Sequence, residues 1–267
     1  ALLFESACFG IDMGIFRRQI AQILILAFAG MTTAALITGG LLYSLAPSTW
    51  SFMVCLLIGV IASATDPVAV VALLKELGAP KTLGTLIEGE SLMNDGSAVV
   101  LFVWVRNCIG YDYNTLPPPW MTGESPQYVL ELLRVVAQML FFGIFLGFSF
   151  GFITVKLLKR LYNLRYVEVS LVVTMSYFVF WLGELVCGSS AVLAVVIMGL
   201  YVNDNKESVS PPVLHFLHEF YEMVAYFLNT VIFMIAGCKL GALMVDSSFH
   251  HLYALGSGSL WMIILTY

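Results

Sequence analysis

Apolar residues in this chain come in long unbroken runs, and the polar residues collect at the boundaries between them. A helix needs ~20 apolar residues to cross a hydrocarbon layer. By that measure the pattern predicts seven spans, at 19–45, 51–76, 83–109, 128–155, 166–187, 189–203 and 215–245. Residues 1–13 read as the end of an earlier helix and 254–267 as the start of a later one. The chain opens without Met and stops inside an apolar run at Tyr267, so residues 1–267 are expected to be a fragment of a longer transmembrane domain, with helices missing at both ends and no readable leader.

Composition agrees with that pattern. Hydrophobic residues fill 60% of 267 positions and charged residues only 11%, where soluble domains carry ~25% charge. The lipid bilayer is therefore the expected solvent. A net charge of −5 says little, because acids inside the membrane are not a surface field, and no nucleic-acid partner is expected. Alternating the loops puts Arg17, Arg18, Lys75, Lys81, Lys156, Lys159, Arg160, Arg165 and Lys206 on one side. That is nine of the 12 basic residues, so this face is cytoplasmic by the positive-inside rule. The long loop Tyr111 to Gln127 then lies outside. Cys8, Cys55, Cys108, Cys187 and Cys238 show no paired spacing and read as small packing residues.

Two adjacent spans depart from the apolar pattern. The second is broken at Thr65-Asp66-Pro67. Proline has no N–H and clashes with the carbonyl four residues back, so the helix is expected to open near residues 63–67. Either this is a kink with Asp66 capping the second half-helix, or the freed carbonyls and the Asp66 carboxylate are hard oxygen ligands for a small cation. The third span carries Glu90-Ser91-Leu92-Met93-Asn94-Asp95. At 100° per residue Glu90, Asn94, Ser91 and Asp95 form one polar arc, with Gly89 and Gly96 beside it to admit a neighbouring backbone. Each unneutralised charge at mid-depth costs on the order of 3 kcal/mol, so such acids call for a functional explanation. A cation site supplies one.

The text ATDPVAVVALLKELGA followed by EGESLMNDGSAVV resembles the cation/proton antiporter superfamily, in the branch of eukaryotic sodium/proton exchangers and bacterial Na+/H+ antiporters. Leu2-Leu3-Phe4-Glu5 resembles the same family's LLFE-type helix, and Asn229 to Gly237 its second discontinuous helix. The wording is most similar to plant and algal Salt-Overly-Sensitive type plasma-membrane antiporters.

The resemblance implies an all-α polytopic fold of inverted repeats with two crossing broken helices. It implies Asp95 as the carboxylate that holds either the ion or a proton, with Asp66, the Thr65 backbone and Ser91 completing the metal site. Asn94 would hold Asp66 and the unwound segment, and Glu90 would pair with a basic residue beyond Tyr267. The implied function is antiport of Na+ against H+, not enzymatic catalysis. Exchange would be one for one and electroneutral because the key pair is Asn94-Asp95, and it needs no cofactor. K+/H+ exchange is the alternative on the same scaffold, and a homodimer in the plasma membrane is the expected assembly. A channel would show a filter or symmetric ring, and none is visible. An intramembrane aspartyl protease would carry GxGD together with YD; this chain has no GxGD, and its one YD, Tyr111-Asp112, falls in the long loop.

Further polar positions belong to the same reading. A second break is expected at Ile235-Ala236-Gly237-Cys238-Lys239-Leu240-Gly241, where Lys239 either offsets half-helix dipoles or snorkels to the outer interface. Glu184 and Glu5 are candidates for cavity walls, and Glu88 for attracting cations at the cytoplasmic end. His215, His218, Glu219 and Glu222 repeat at helical spacing, as a solvated helix start or a pH sensor.

Overall fold

A backbone N–H or C=O facing lipid has no water to bond, so a chain this apolar closes its hydrogen bonds within helices. The computed structural model describes residues 2–45, 50–65, 67–114, 125–186 and 188–245, and these are all-α. A short α1 (Leu2–Glu5) runs into a π turn (Ser6–Gly10). Then α2 (Met13–Leu24), a second π turn (Ile25–Gly30) and α3 (Met31–Leu45) form one rod. The pair α4 (Phe52–Ser63) and α5 (Val68–Glu76) is followed by α6 (Lys81–Asn114) and α7 (Ser125–Arg160). The chain continues with α8 (Arg165–Trp181), ending in a π turn (Leu182–Val186), then α9 (Ala191–Asp204) and α10 (Pro211–Val245).

Among the described residues four stretches are long and apolar enough to cross a membrane: Met13–Leu45, Val136–Arg160, Arg165–Leu185 and Pro211–Lys239. Phe52–Ser63 and Ala191–Asp204 are apolar but shorter. The seven expected spans thus correspond to α2–α3, α4–α5, α6, α7, α8, α9 and α10. The expected outer loop is shorter at its edges, since α6 reaches Asn114 and α7 starts at Ser125; residues 115–124 lie outside the described set, as does the expected later helix at 254–267.

The centre of the molecule is α9. It is apolar all round, as a helix enclosed by others must be, and Leu193, Ala194, Val196, Met198 and Leu200 are all buried. Gly147 of α7 lets the α9 backbone in: a Cβ there would sit 2.6 Å from the Ala194 carbonyl oxygen. The C-terminal end of α9 is tied down by Asn203 Nδ2, which donates to the Ala7 and Ile11 carbonyls at 2.8 and 3.0 Å, and by the ion pair Arg17 to Asp204.

A second close crossing joins α3 to α4. A Cβ on Gly59 would lie 2.5 Å from the Ala35 carbonyl oxygen, and one on Gly39 would lie 2.9 Å from the Leu56 Cα. Small residues at a crossing let two backbones touch where lipid offers no competing hydrophobic drive. This contact holds α4 in place, and with it the position of its last residue, Ser63.

One expected feature is corrected. The break predicted at 235–241 is absent, and α10 runs through it without interruption. Gly237 and Gly241 each cost about 1 kcal/mol of helix propensity but keep their N–H groups, and no proline removes a donor there. An intact hydrogen-bond ladder outweighs that cost in an apolar setting. Among the described residues the buried positions of α10 are Val213, Leu217, Tyr221 and Ala225, four residues apart and all in its first half. Lys239 lies on the exposed outer half.

Candidate functional site

The α4–α5 break has a definite hydrogen-bond logic. In an uninterrupted helix the N–H of residue 67 would bond to the carbonyl of residue 63. Pro67 has no N–H, so the Ser63 carbonyl is orphaned, and α4 ends there with Ala64 extended at φ −80°, ψ 93°. The missing donor comes from α6: Asn94 Nδ2 donates to the Ser63 carbonyl oxygen at 3.2 Å. One turn earlier on α6, Ser91 Oγ donates to the Thr65 carbonyl oxygen, also at 3.2 Å. Ser63 Oγ donates back to the Gly59 carbonyl at 2.7 Å. Two side chains of one helix therefore hold the opened backbone of another.

Of the six expected site residues, Ser91 meets Thr65 directly, and Asn94 reaches the same opened backbone at Ser63. Asn94 is 2% exposed, and its Oδ1 is buried with no hydrogen-bond partner among the described residues. Asp95 follows it and is half-buried. Glu90 is half-buried too, one turn before Asn94, and has no ion pair among the described residues. Asp66 lies outside the described residues.

The glycines beside the arc do something other than expected. A Cβ on Gly89 would meet the side chains of Ile23 and Phe16 at 2.9 and 3.1 Å, and one on Gly96 would meet Leu193 at 3.3 Å. They admit bulky side chains, whereas the backbone contacts occur at Gly39, Gly59 and Gly147. Sequence reasoning also missed Ser97, 3% exposed, whose Oγ donates to the Ala27 carbonyl at 2.8 Å. That carbonyl belongs to the π turn at Ile25–Gly30. The signal was a polar residue one turn beyond Asn94; its partner lies 70 positions away and no local pattern gives it.

Below the break, on the side of the basic loops, is a cavity of about 480 Å³ bounded by Asp12, Leu74, Lys81, Thr85, Glu88 and Lys206 among others. At 100° per residue Lys81, Gly84, Thr85, Glu88, Ser91 and Asp95 share one face of α6, with Glu88 roughly 10 Å below Asp95 along the axis. The cavity thus opens onto the face that leads up to Asp95.

Other expected residues stand apart. Glu184 is exposed in the π turn that ends α8, and Glu5 is half-buried on α1. His215 and His218 reach Glu219 and Glu222 at 3.4 and 3.9 Å, all four exposed, which makes them a solvated helix start. Cys8, Cys55 and Cys108 are buried between helices, Cys238 is exposed, and Cys187 lies outside the described residues.

One acid was overlooked altogether. Glu168, on α8 and 0% exposed, accepts from Asn163 N at 2.7 Å, Ser210 N at 3.0 Å and Ser210 Oγ at 2.5 Å. Its carboxylate clasps the α7–α8 turn to the N-terminus of α10, where the helix dipole favours an anion.

Comparison with known proteins places this arrangement among relatives. The family description "Sodium/hydrogen exchanger, transmembrane" matches residues 1–266. Sodium/hydrogen exchanger 7 of Arabidopsis thaliana is 35% identical over 249 residues, which is 92% of this chain and 20% of that protein. The Na(+)/H(+) antiporter NhaP of Pseudomonas aeruginosa is 31% identical across 100% of this chain and 61% of its own length. The low-affinity Na(+)/H(+) antiporter NhaS1 of Synechocystis is 36% identical over 67% of this chain and 32% of its own. The chain spans a fifth of the plant relative's length.

Proposed function

Because this chain belongs to the sodium/hydrogen exchanger family, a family of transporters rather than enzymes, we propose that it is the site-bearing part of an antiporter that exchanges Na+ for H+, one for one and without net charge. The observation that carries this reading is the opened α4–α5 backbone, held by Asn94 and Ser91 on the helix that also bears Asp95.

Asp95 is the exchanging group. Na+ and H+ compete for its carboxylate, and only one of them is held at a time. An ionised, unloaded Asp95 is expensive to carry through a low-dielectric barrier, whereas a loaded one is neutral, so movement is coupled to binding. Asp66, the Thr65 carbonyl and Ser91 Oγ supply further oxygens, and the buried, unpartnered Asn94 Oδ1 is a neutral oxygen next to them. Glu90 supports the site from one turn away. Since Asn94-Asp95 offers one acid where two would carry more charge, the cycle moves one cation against one proton. The cytoplasmic cavity beside Thr85 and Glu88 is the inner approach. A homodimer in the plasma membrane is the proposed setting, an extension of the motif resemblance.

The test is pH-gradient-driven uptake of radioactive sodium into liposomes holding the full-length protein, wild type beside Asp95→Asn, with K+ as competitor. Saturable uptake lost in the variant and indifferent to a clamped membrane potential is the expected result. Uptake that persists in Asp95→Asn would remove Asp95 from its role. Potential-dependent uptake would overturn electroneutrality, and equal competition by K+ would overturn the choice of Na+.

A further inference from the structure

A second cavity, remote from the break, lies between the cytoplasmic halves of α8 and α10. It encloses about 550 Å³, within the range of ligand pockets. Arg165 and Tyr166 stand at its mouth, and Val169, Val173, Phe216 and Phe220 form its walls. From Arg165 to Val173 is eight residues of helix, roughly 12 Å. The groove therefore runs from the membrane surface into the hydrocarbon, with a cation at the wet end and apolar walls at the dry end.

Two details make this more than a gap between helices. The first is the Glu168 clasp. Glu168 sits on α8 between Arg165 and Val169, and its bonds to Ser210 fix α10 to α8 at the level of the groove. The cavity is thus held open by the fold. The second is charge. Glu168 is satisfied by its three donors and leaves the guanidinium unneutralised, and Arg165 makes no ion pair among the described residues. Lys156, Lys159 and Arg160, all exposed, add positive field at the same membrane face. That face is the cytoplasmic one by the distribution of basic residues, where the leaflet is anionic.

We infer that this groove binds an anionic phospholipid of the cytoplasmic leaflet, its phosphate on Arg165 and the upper part of one acyl chain along Val169, Val173, Phe216 and Phe220. A guanidinium matches phosphate geometry; a zwitterionic headgroup offers the same phosphate but offsets its charge with an ammonium, so the preference for an anionic lipid rests on net charge. A bound lipid bridges α8 and α10 beside the Glu168 clasp and stiffens the cytoplasmic rim.

The experiment uses full-length protein in phosphatidylcholine vesicles with a trace of photoactivatable phosphatidylglycerol or phosphatidylcholine, the reactive group partway along the acyl chain. Labelled peptides are read by mass spectrometry, which requires no transport activity. The phosphatidylglycerol probe is expected to label the peptides containing Val169–Val173 and Phe216–Phe220. Arg165→Gln should weaken that labelling about fivefold, which corresponds to about 1 kcal/mol for one basic contact near the surface. Val173→Trp, which fills the groove, should abolish it, and Arg160→Gln, which removes only part of the general field, should weaken it clearly less than Arg165→Gln does. Equal labelling by the two probes overturns the proposal, as does an equal loss in Arg160→Gln and Arg165→Gln. So does an unlabelled groove in the wild type, the result expected if another segment of the chain fills it.

Discussion

If Asn94 replaces the donor that Pro67 lacks, the two residues must be coupled energetically although they lie on different helices. In Asn94→Ala the Ser63 carbonyl loses its 3.2 Å bond. An interhelical hydrogen bond in a membrane is worth ~0.6–1.7 kcal/mol, and a buried carbonyl left unpaired costs ~1–3 kcal/mol. These figures describe overlapping losses, so the expected cost is about 2 kcal/mol, roughly thirtyfold in the unfolding equilibrium. In Pro67→Ala, residue 67 regains an N–H, which can bond to Ser63 in the ordinary helical way. Asn94→Ala placed in that background should then cost less than about 1 kcal/mol. The measurement is a double-mutant cycle on the purified full-length protein, by reversible unfolding in mixed micelles, with sodium uptake recorded in parallel. Stability and transport should part company: the double variant regains most of the lost stability but stays inactive, because closing the helix removes the carbonyls from the site. An equal cost of Asn94→Ala in both backgrounds would refute the donor-replacement account.

Two other substitutions test the scaffold. Gly59→Leu forces a side chain toward the Ala35 carbonyl, where even a Cβ would lie at 2.5 Å; overpacking of this kind costs ~1–3 kcal/mol. Gly40→Ala, with nothing within 4 Å, should be neutral or stabilising by up to ~1 kcal/mol, and thermal melting followed by size-exclusion chromatography distinguishes the two. Glu168→Gln turns an acceptor opposite Ser210 N into a donor, with an expected loss of ~1.5–3 kcal/mol in the same melting assay, since hydrogen bonds to charged groups are the stronger kind. An unchanged melt would mean the clasp contributes nothing.

What could be read from the chain alone follows the range of the cause. The positions of the spans were legible because each is a continuous apolar run set off by polar boundaries, even where, as at Phe52–Ser63 and Ala191–Asp204, the helix is short; the break was legible because Pro67 removes a donor whatever surrounds it. The polar arc on α6 was legible from its spacing. The second break at 235–241 was expected from the resemblance of Asn229 to Gly237 to a discontinuous helix, but no proline there removes a donor, and an apolar environment rewards keeping the ladder closed. Glu168 and Ser97 went unread because the partners that give them meaning, Ser210 and Ala27, lie 42 and 70 residues away. The central place of α9 was equally hidden: a largely apolar 14-residue helix looks the same whether it faces lipid or protein.

The π turn at Ile25–Gly30 sets the phase of the rod that contains it. Such a turn spends one residue more than an α-helix on the same length, so everything after it is rotated by about 100°. Before the turn, Phe16 and Ile23 meet Gly89 of α6; after it, Ala35 and Gly39 meet α4. A single insertion thus lets one rod address two neighbours in different directions. Deleting one residue from the turn would leave hydropathy and span length almost untouched, yet swing the glycine crossing away from α4 and take with it the anchor of the opened backbone.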